Sequence, residues 1–351
     1  MTSLTQRRHK LLMFLIVTVL TTILVITTNY KYGRINQTFA ASDVLTSQDS
    51  FSGTNEQDRT NNNLGSSSQK QCDNDCQEKV QRMRKNHLTK QCEQLGLSKK
   101  DEDVKVTSRL LKELNHSIVL EEYKVIYSFI PKAGCTNWKR ILLLLKGVVT
   151  SVDDLEQHEA HFLVKKNMKL LSSYKVQEAR HILKSYTKFV FVRNPFARIL
   201  SAYKDKIEKP TKLNPKFRVF WNRKINLGLE KNASVVGDNT TFIHYVDYLS
   251  NHSVNEDHWQ TIITLSRPCE VQYDFIGKME TLDRDINFVL KNIIRNTSER
   301  VLFRTSTNPT GSSTMLERYF AGVPRRNKQA LYDQFKNDFL LFGYDKPADL
   351  N

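Results

Sequence analysis

Two cations stand where an apolar run gives way to a helical pattern. They are Lys132, in KVIYSFIPKAGCTNWKRILLLLKG (124–147), and Arg193, in KFVFVRNPFARILSAYKDK (188–206). Such a place favours an anion, because a loop between a strand and a helix N-terminus points free N–H groups and the positive end of the helix dipole at one spot. Lys132 adds a full charge, Thr136 and Asn137 add donors, and Arg193 can grip a phosphate through two parallel hydrogen bonds. His158, His161 and His258 have the side chain whose ordinary pKa suits proton transfer near neutrality.

The elements that would position these groups are legible. Val125, Ile126, Tyr127, Phe129 and Ile130 predict a strand packed on both faces, ended by Pro131, which has no N–H for the ladder. Gly134 permits a tight turn, and Thr136 or Asn137 is expected to cap a helix with Trp138, Ile141, Leu142 and Leu145 on one face. Lys188 to Arg193 predicts a second buried strand, followed by Asn194 as N-cap and Pro195 as first helical residue. Helices are also expected over about 71–100, 104–114, 283–294 and 328–344, and a strand over 271–276.

Several chemistries fit badly. A nucleotide-hydrolase loop needs G-x-x-x-x-G-K-[ST], and here the lysine precedes a lone glycine. A phosphatase cysteine needs five residues before its arginine, and four separate Cys135 from Arg140. HEAH at 158–161 brings its second histidine one residue early for a zinc-protease helix, so these histidines read either as a catalytic base or as ordinary surface or core residues. Cys72 and Cys76 lack the partners of a zinc site. Asp283 and Asp285 match the D-x-D of metal-dependent glycosyltransferases, but carboxylates in a first helical turn also simply favour the dipole.

The formal net charge of +16 calls for an acidic partner. Residues 11–28 carry no charge and nearly match the ~20 residues of a membrane span. Arg7, Arg8 and Lys10 precede them, which predicts a cytoplasmic tail over 1–10, an uncleaved signal anchor over 11–28 and the remainder in a lumen. Six sequons beyond the span, at Asn36, Asn115, Asn232, Asn239, Asn251 and Asn296, agree with secretory passage. That topology disfavours nucleic acid and favours acidic glycans. Residues 29–100 read as a lumenal stem, low in complexity to about 70 and helical thereafter, and 101–351 as the catalytic domain. Five cysteines in an oxidising compartment leave one thiol free or paired between chains.

PKAGCTNWKR resembles the 5′-phosphosulfate loop of sulfotransferases, and RNPFARILSAY resembles their 3′-phosphate motif. HWQ at 258–260 with PCEVQYDFIGKMETL at 268–282 resembles the C-terminal block of the Golgi carbohydrate sulfotransferases that include the chondroitin 4-O-sulfotransferases. The likeness covers roughly 120–345. It departs at Gly134, where relatives often have alanine, at Asn194, where an acid is usual, and at Ser266, where a second cysteine is frequent.

The resemblance implies an α/β P-loop-like sulfotransferase fold with a central parallel sheet flanked by helices. It implies 3′-phosphoadenylyl sulfate as donor, with no metal required. Pro131, Lys132, Ala133, Gly134, Cys135, Thr136 and Asn137 would hold the 5′-phosphosulfate. Arg193, Asn194, Pro195, Phe196, Ala197, Arg198, Ile199, Leu200 and Ser201 would form the 3′-phosphate site, with Arg193 and Ser201 as its ligands. Lys132 would offset charge on the bridging oxygen. His161 is the first choice for the base, then His258, then His158. The implied acceptor is the 4-OH of N-acetylgalactosamine in chondroitin or dermatan, with terminal N-glycan sugars or the glucuronic acid 3-OH as alternatives. Eleven basic and two acidic residues from Lys188 to Lys224 make an acceptor track, with Lys204, Lys206, Lys209, Lys212 and Lys216 as candidates. The rivals are a manganese glycosyltransferase and a membrane-tethered glycosaminoglycan-binding protein. The expected location is the Golgi membrane.

Overall fold

The computed structural model describes residues 74–97, 106–153, 155–208, 215–229, 240–252, 255–295 and 313–351. The expected tail, anchor and low-complexity stretch, together with Cys72, Asn36, Asn232, Asn239, Asn296, Lys209 and Lys212, lie outside them. Among the described residues no helix is long and apolar enough to cross a membrane.

Among the described residues five strands form one sheet in the order β3–β1–β2–β4–β5. They are β1 (Ser117–Leu120), β2 (Val125–Ser128), β3 (Lys169–Leu170), β4 (Thr187–Val192) and β5 (Phe275–Lys278). β2, β4 and β5 run parallel, whereas β1 pairs antiparallel with both β2 and β3. The sheet is therefore mixed, which corrects the all-parallel expectation. The cause is local. Only a 3-10 turn at Glu121–Tyr123 and Lys124, at φ 50°, separate β1 from β2. So short a link can close a hairpin but cannot carry the crossover that parallel strands need. The expected strand over 271–276 also shifts. Pro268–Val271 is a short helix, and β5 begins at Phe275.

The helices are α1 (Asn74–Gln94), α2 (Ser108–Glu113), α3 (Cys135–Leu145), α4 (Gln157–Asn167), α5 (Val176–Ser185), α6 (Pro195–Tyr203), α7 (Pro215–Leu229), α8 (Phe242–Asn251), α9 (Ile262–Ser266), α10 (Pro268–Val271), α11 (Leu282–Phe288), α12 (Ser313–Ala321) and α13 (Arg325–Leu341). Strand alternation divides the core. Phe189 and Phe191 of β4 pack on one face with Tyr127 and Trp138, and Val190 and Val192 pack on the other with Ile126 and Ile276. A third apolar cluster joins α6, α7, α8, α12 and α13 through Phe196, Tyr203, Trp221, Tyr245, Phe320 and Phe339.

α1 is fastened to this body. Arg84 Nη1 lies 2.7 Å from Asp285 Oδ2, and Gln77 Nε2 donates to Asp285 Oδ1 at 2.7 Å. The Ile276 amide donates to Gln81 Oε1, and a disulfide joins Cys92 to Cys269. Cys76 is also disulfide-bonded, and Cys135 is free and buried. Asp285, fully buried, accepts from the Lys278 amide and Thr281 Oγ1 as well. Its carboxylate is thus consumed by structure, whereas Asp283 is exposed. Asn115 and Asn251, the two described sequon asparagines, are both exposed.

Candidate active site

Because β2 and β4 are adjacent and parallel, the loops leaving their C-terminal ends stand side by side, the place where open α/β sheets take ligands. They touch. Arg193 Nη1 donates to the Lys132 carbonyl at 3.2 Å. Arg198, wholly buried on α6, donates through Nε to the Pro131 carbonyl and through Nη2 to the Asp257 carbonyl, each at 2.9 Å, and through Nη1 to the Gln260 carbonyl. Burial lowers its pKa to about 10, against the pull of Asp338, so it remains a cation at neutral pH. One guanidinium ties both loops to the segment that carries His258.

The first loop turns through two left-handed residues, Lys132 at φ 71° and Gly134 at φ 77°. Gly134 is itself the N-cap of α3 and brings no side-chain oxygen, so Thr136 and Asn137 lie inside the first turn instead of capping it. Asn137 Oδ1 accepts from Arg140 Nη1 at 2.9 Å. The helix dipole and an N-terminus without a side-chain cap, beside Lys132, fit an anionic ligand. Lys132 Nζ is 2.9 Å from Asp205 Oδ2, in the π-turn Lys204–Glu208 that extends α6. Burial lowers the Lys132 pKa, opposed by Asp205. Burial raises that of Asp205, but Lys132 and Lys206 outweigh it, and the carboxylate ends below its usual range.

In the second loop Asn194 caps α6 as expected, its side chain accepting from the Phe196 and Ala197 amides at 3.0 and 3.2 Å. Its own amide donates to Glu280 Oε1 at 2.8 Å. Pro195, Phe196, Ala197, Ile199 and Leu200 are buried, and their side chains serve to fix the helix. Arg193 is buried at the loop and Ser201 half-buried on α6. In the first loop Pro131, Ala133 and Cys135 are buried, which leaves Lys132, Gly134, Thr136 and Asn137 as the partly exposed positions.

Two of the three histidines gather here. His161, on the solvent side of α4, lies 3.4 Å through Nε2 from Thr136 Oγ1 and 3.2 Å through Nδ1 from Lys139 Nζ. Desolvation by its surroundings, then Lys139, Lys206, His258 and Arg140, lower its pKa to about 4. His258 Nδ1 is 2.6 Å from Glu256 Oε1. Burial lowers its pKa, and the Glu256 bond opposes that. His158 is exposed one turn from His161 on α4.

Sequence reading overlooked five neighbours. Lys139, buried, sits with Nζ 3.8 Å from the Phe129 ring centroid. One helical turn separates it from Cys135, a spacing that could have pointed to it. Glu256 stands two residues before His258. Asp205 and the His116 Nε2–Asp257 Oδ2 pair, at 3.0 Å, carry no local signal. Of the expected acceptor track, Lys204 is held by Tyr319 and Glu208, Lys206 by Asp205, and Lys216 is exposed on α7.

Residues 115–345 match the sulfotransferase family. Carbohydrate sulfotransferase 11 of Rattus norvegicus is 38% identical over 247 residues, covering 67% of this chain and 68% of that protein. Carbohydrate sulfotransferase 8 of Homo sapiens is 34% identical, covering 68% of this chain and 58% of that protein. Carbohydrate sulfotransferase 14 of Danio rerio is 32% identical, covering 67% and 63%. The solved structures include no significant match.

Proposed function

The chain belongs to the sulfotransferase family, and we propose that it transfers sulfate from 3′-phosphoadenylyl sulfate to the 4-OH of N-acetylgalactosamine in chondroitin or dermatan. The carrying observation is the junction of the two phosphate loops, with Arg193 on the Lys132 carbonyl. A donor with phosphate on both sides of its ribose needs two such loops side by side, and a nucleoside triphosphate does not. The carbohydrate acceptor is supported by the names of the relatives, and the chondroitin 4-OH by the motif resemblance. A polyanionic acceptor agrees with the excess of basic residues.

In this reading the acceptor oxygen attacks sulfur in line. The S–O bond to the 5′-phosphate breaks, and the acceptor proton passes to a histidine. Lys132 and the first-turn amides of α3 stabilise the negative charge that grows on the leaving oxygen. Arg193 and Ser201 hold the 3′-phosphate, and Arg198 keeps the two loops in register. The chain sits in the Golgi membrane by residues 11–28, with its catalytic part lumenal.

The test is sulfate transfer by the full-length protein to desulfated chondroitin, followed by disaccharide analysis. Label in 4-sulfated disaccharides is the expected result. Label confined to other glycans removes the acceptor assignment. No transfer and no binding of 3′,5′-adenosine bisphosphate removes the donor assignment too.

A further inference from the structure

The two histidines of the site are held by partners of opposite character. Glu256 is a carboxylate and can only accept, so the ring nitrogen 2.6 Å from it, His258 Nδ1, carries the proton. The neutral ring then has its lone pair on Nε2. Lys139 is an ammonium and can only donate, so the nitrogen 3.2 Å from it, His161 Nδ1, is an acceptor. The proton of that neutral ring is on Nε2, the atom near Thr136 Oγ1 in the first phosphate loop.

We propose that His258 Nε2 takes the acceptor proton, with Glu256 as its positioning residue, and that His161, fixed by Lys139, instead donates from Nε2 toward the transferring group. This rests on the sulfotransferase reading above and reverses the order of candidates that the chain position of His161 suggests. As the new O–S bond forms and the S–O bond to the 5′-phosphate breaks, the proton moves to His258 and the leaving phosphate keeps the electron pair. The imidazolium so formed is stabilised by Glu256. At His161 an incoming proton would have only Nδ1, which already faces the Lys139 ammonium.

The surroundings agree. His258 faces Glu256 and Asp257 from its own segment, Lys132 from the first loop, Lys206 from the turn after α6, and His161 from α4. The Phe217 ring of α7 packs edge-on at 5.6 Å. The carboxylate in contact opposes the loss of basicity that burial and these cations impose. Among the described residues no carboxylate is in hydrogen-bond contact with His161, and the charged neighbours that act on it, Lys139, Lys206, His258 and Arg140, are all basic.

The experiment is the pH dependence of kcat/KM for the full-length protein and three variants, with 3′,5′-adenosine bisphosphate binding measured on each. Wild type should lose activity on an acidic limb set by His258. His258→Asn should lower kcat by about 100-fold or more and abolish that limb while still binding the bisphosphate. Glu256→Gln keeps a hydrogen-bond acceptor but removes the charge. It should lower kcat and move the limb to lower pH, because the carboxylate raises the His258 pKa. His161→Gln should lower kcat and keep the limb. If His161→Gln erases the limb while His258→Asn retains it, the assignment is overturned and the transferase reading stands. A limb unmoved in Glu256→Gln also overturns it, and this decides the matter should His258→Asn fail to bind the bisphosphate. A wild type that transfers no sulfate removes the assignment and the functional reading together.

Discussion

Lys132 Nζ and Asp205 Oδ2 lie 2.9 Å apart, so the lysine of the loop after β2 is bound to a carboxylate of the turn that follows α6. A donor phosphosulfate must share Lys132 with Asp205 or displace it. The pair is partly open, with side-chain exposures of 17% and 28%, so its strength is modest and screened by salt. Asp205→Asn is expected to tighten 3′,5′-adenosine bisphosphate binding roughly threefold at low salt, an effect that shrinks as salt rises. Isothermal titration at two ionic strengths reads this directly. Weaker binding in the variant would mean that Asp205 positions Lys132 for the donor instead of competing with it.

Arg198 makes a larger claim on stability. Its guanidinium reaches three backbone carbonyls in two separate segments. Arg198→Met should cost about 3–5 kcal/mol, since it leaves those carbonyls without their donors. Arg198→Lys, with a compact ammonium in place of the planar fork, cannot span all three and should recover only part of the loss. Thermal unfolding gives the stability. A variant that keeps wild-type stability would show that the three carbonyls find other donors.

The two strand–loop–helix units were legible because each is contiguous: strand, turn and helix signals fall within twenty-odd residues. What the sequence hid is the bonding between segments. Arg198 sits in a recognisable motif, yet its partners are Pro131, Asp257 and Gln260, each about sixty residues away in the chain. Periodicity says nothing about such pairs. β1 escaped notice because SIVL is four residues long and buried throughout, without alternation. PCEV lies between two left-handed residues, Arg267 and Gln272, which no composition rule would have marked. Mixed sheet topology followed from that unseen β1, while the parallel core of β2, β4 and β5 followed from the strand–helix pattern.

Asp338 gives the fold a pH dependence of unusual sign. It is fully buried on α13 and accepts from the Ile262 and Ile263 amides at 2.6 and 2.9 Å. Burial nevertheless wins over those bonds and raises its pKa to about 6. Between pH about 4 and about 6 the native state therefore retains a proton that the unfolded chain has released. Stability from this group is full below the lower value, falls across the window, and is constant above it. The change is on the order of 3 kcal/mol. Asp338→Asn cannot ionise, so the stability of wild type relative to the variant should decline from pH 4 to 6 and then level off. Urea titrations across that range check it, and a constant difference would refute it.

α1 is expected to be a cooperative part of the catalytic body. The Cys92–Cys269 disulfide closes a span of 177 residues, which by loop entropy stabilises the fold by roughly 5 kcal/mol. Arg84 neutralises Asp285, which has no exposed surface. Arg84→Met should cost about 3–5 kcal/mol by leaving that charge uncompensated, and Arg84→Met with Asp285→Leu should recover much of it. Hydrogen exchange over 74–94 after reduction should rise toward that of a detached helix. Unchanged protection would show that side-chain packing alone holds α1.

The exposed face of α7 supplies the last test, of the acceptor. Lys216, Phe220, Arg223 and Lys224 are all exposed at helical spacing, and Phe220 is 58% accessible. The buried side of the same helix packs on the histidine segment, Trp221 on Trp259 at 4.9 Å and Phe217 on His258 at 5.6 Å. In the proposed reading a polyanionic acceptor would place acidic groups on these basic side chains. Lys216→Glu with Arg223→Glu should raise KM for chondroitin about tenfold at low salt and leave kcat near wild type, because lost steering and pairing weaken binding alone. The penalty should fade in high salt and be absent for a short neutral acceptor. Equal losses with both acceptors would place the two cations in the folding of α7, and a loss of kcat would bring them into the reaction itself.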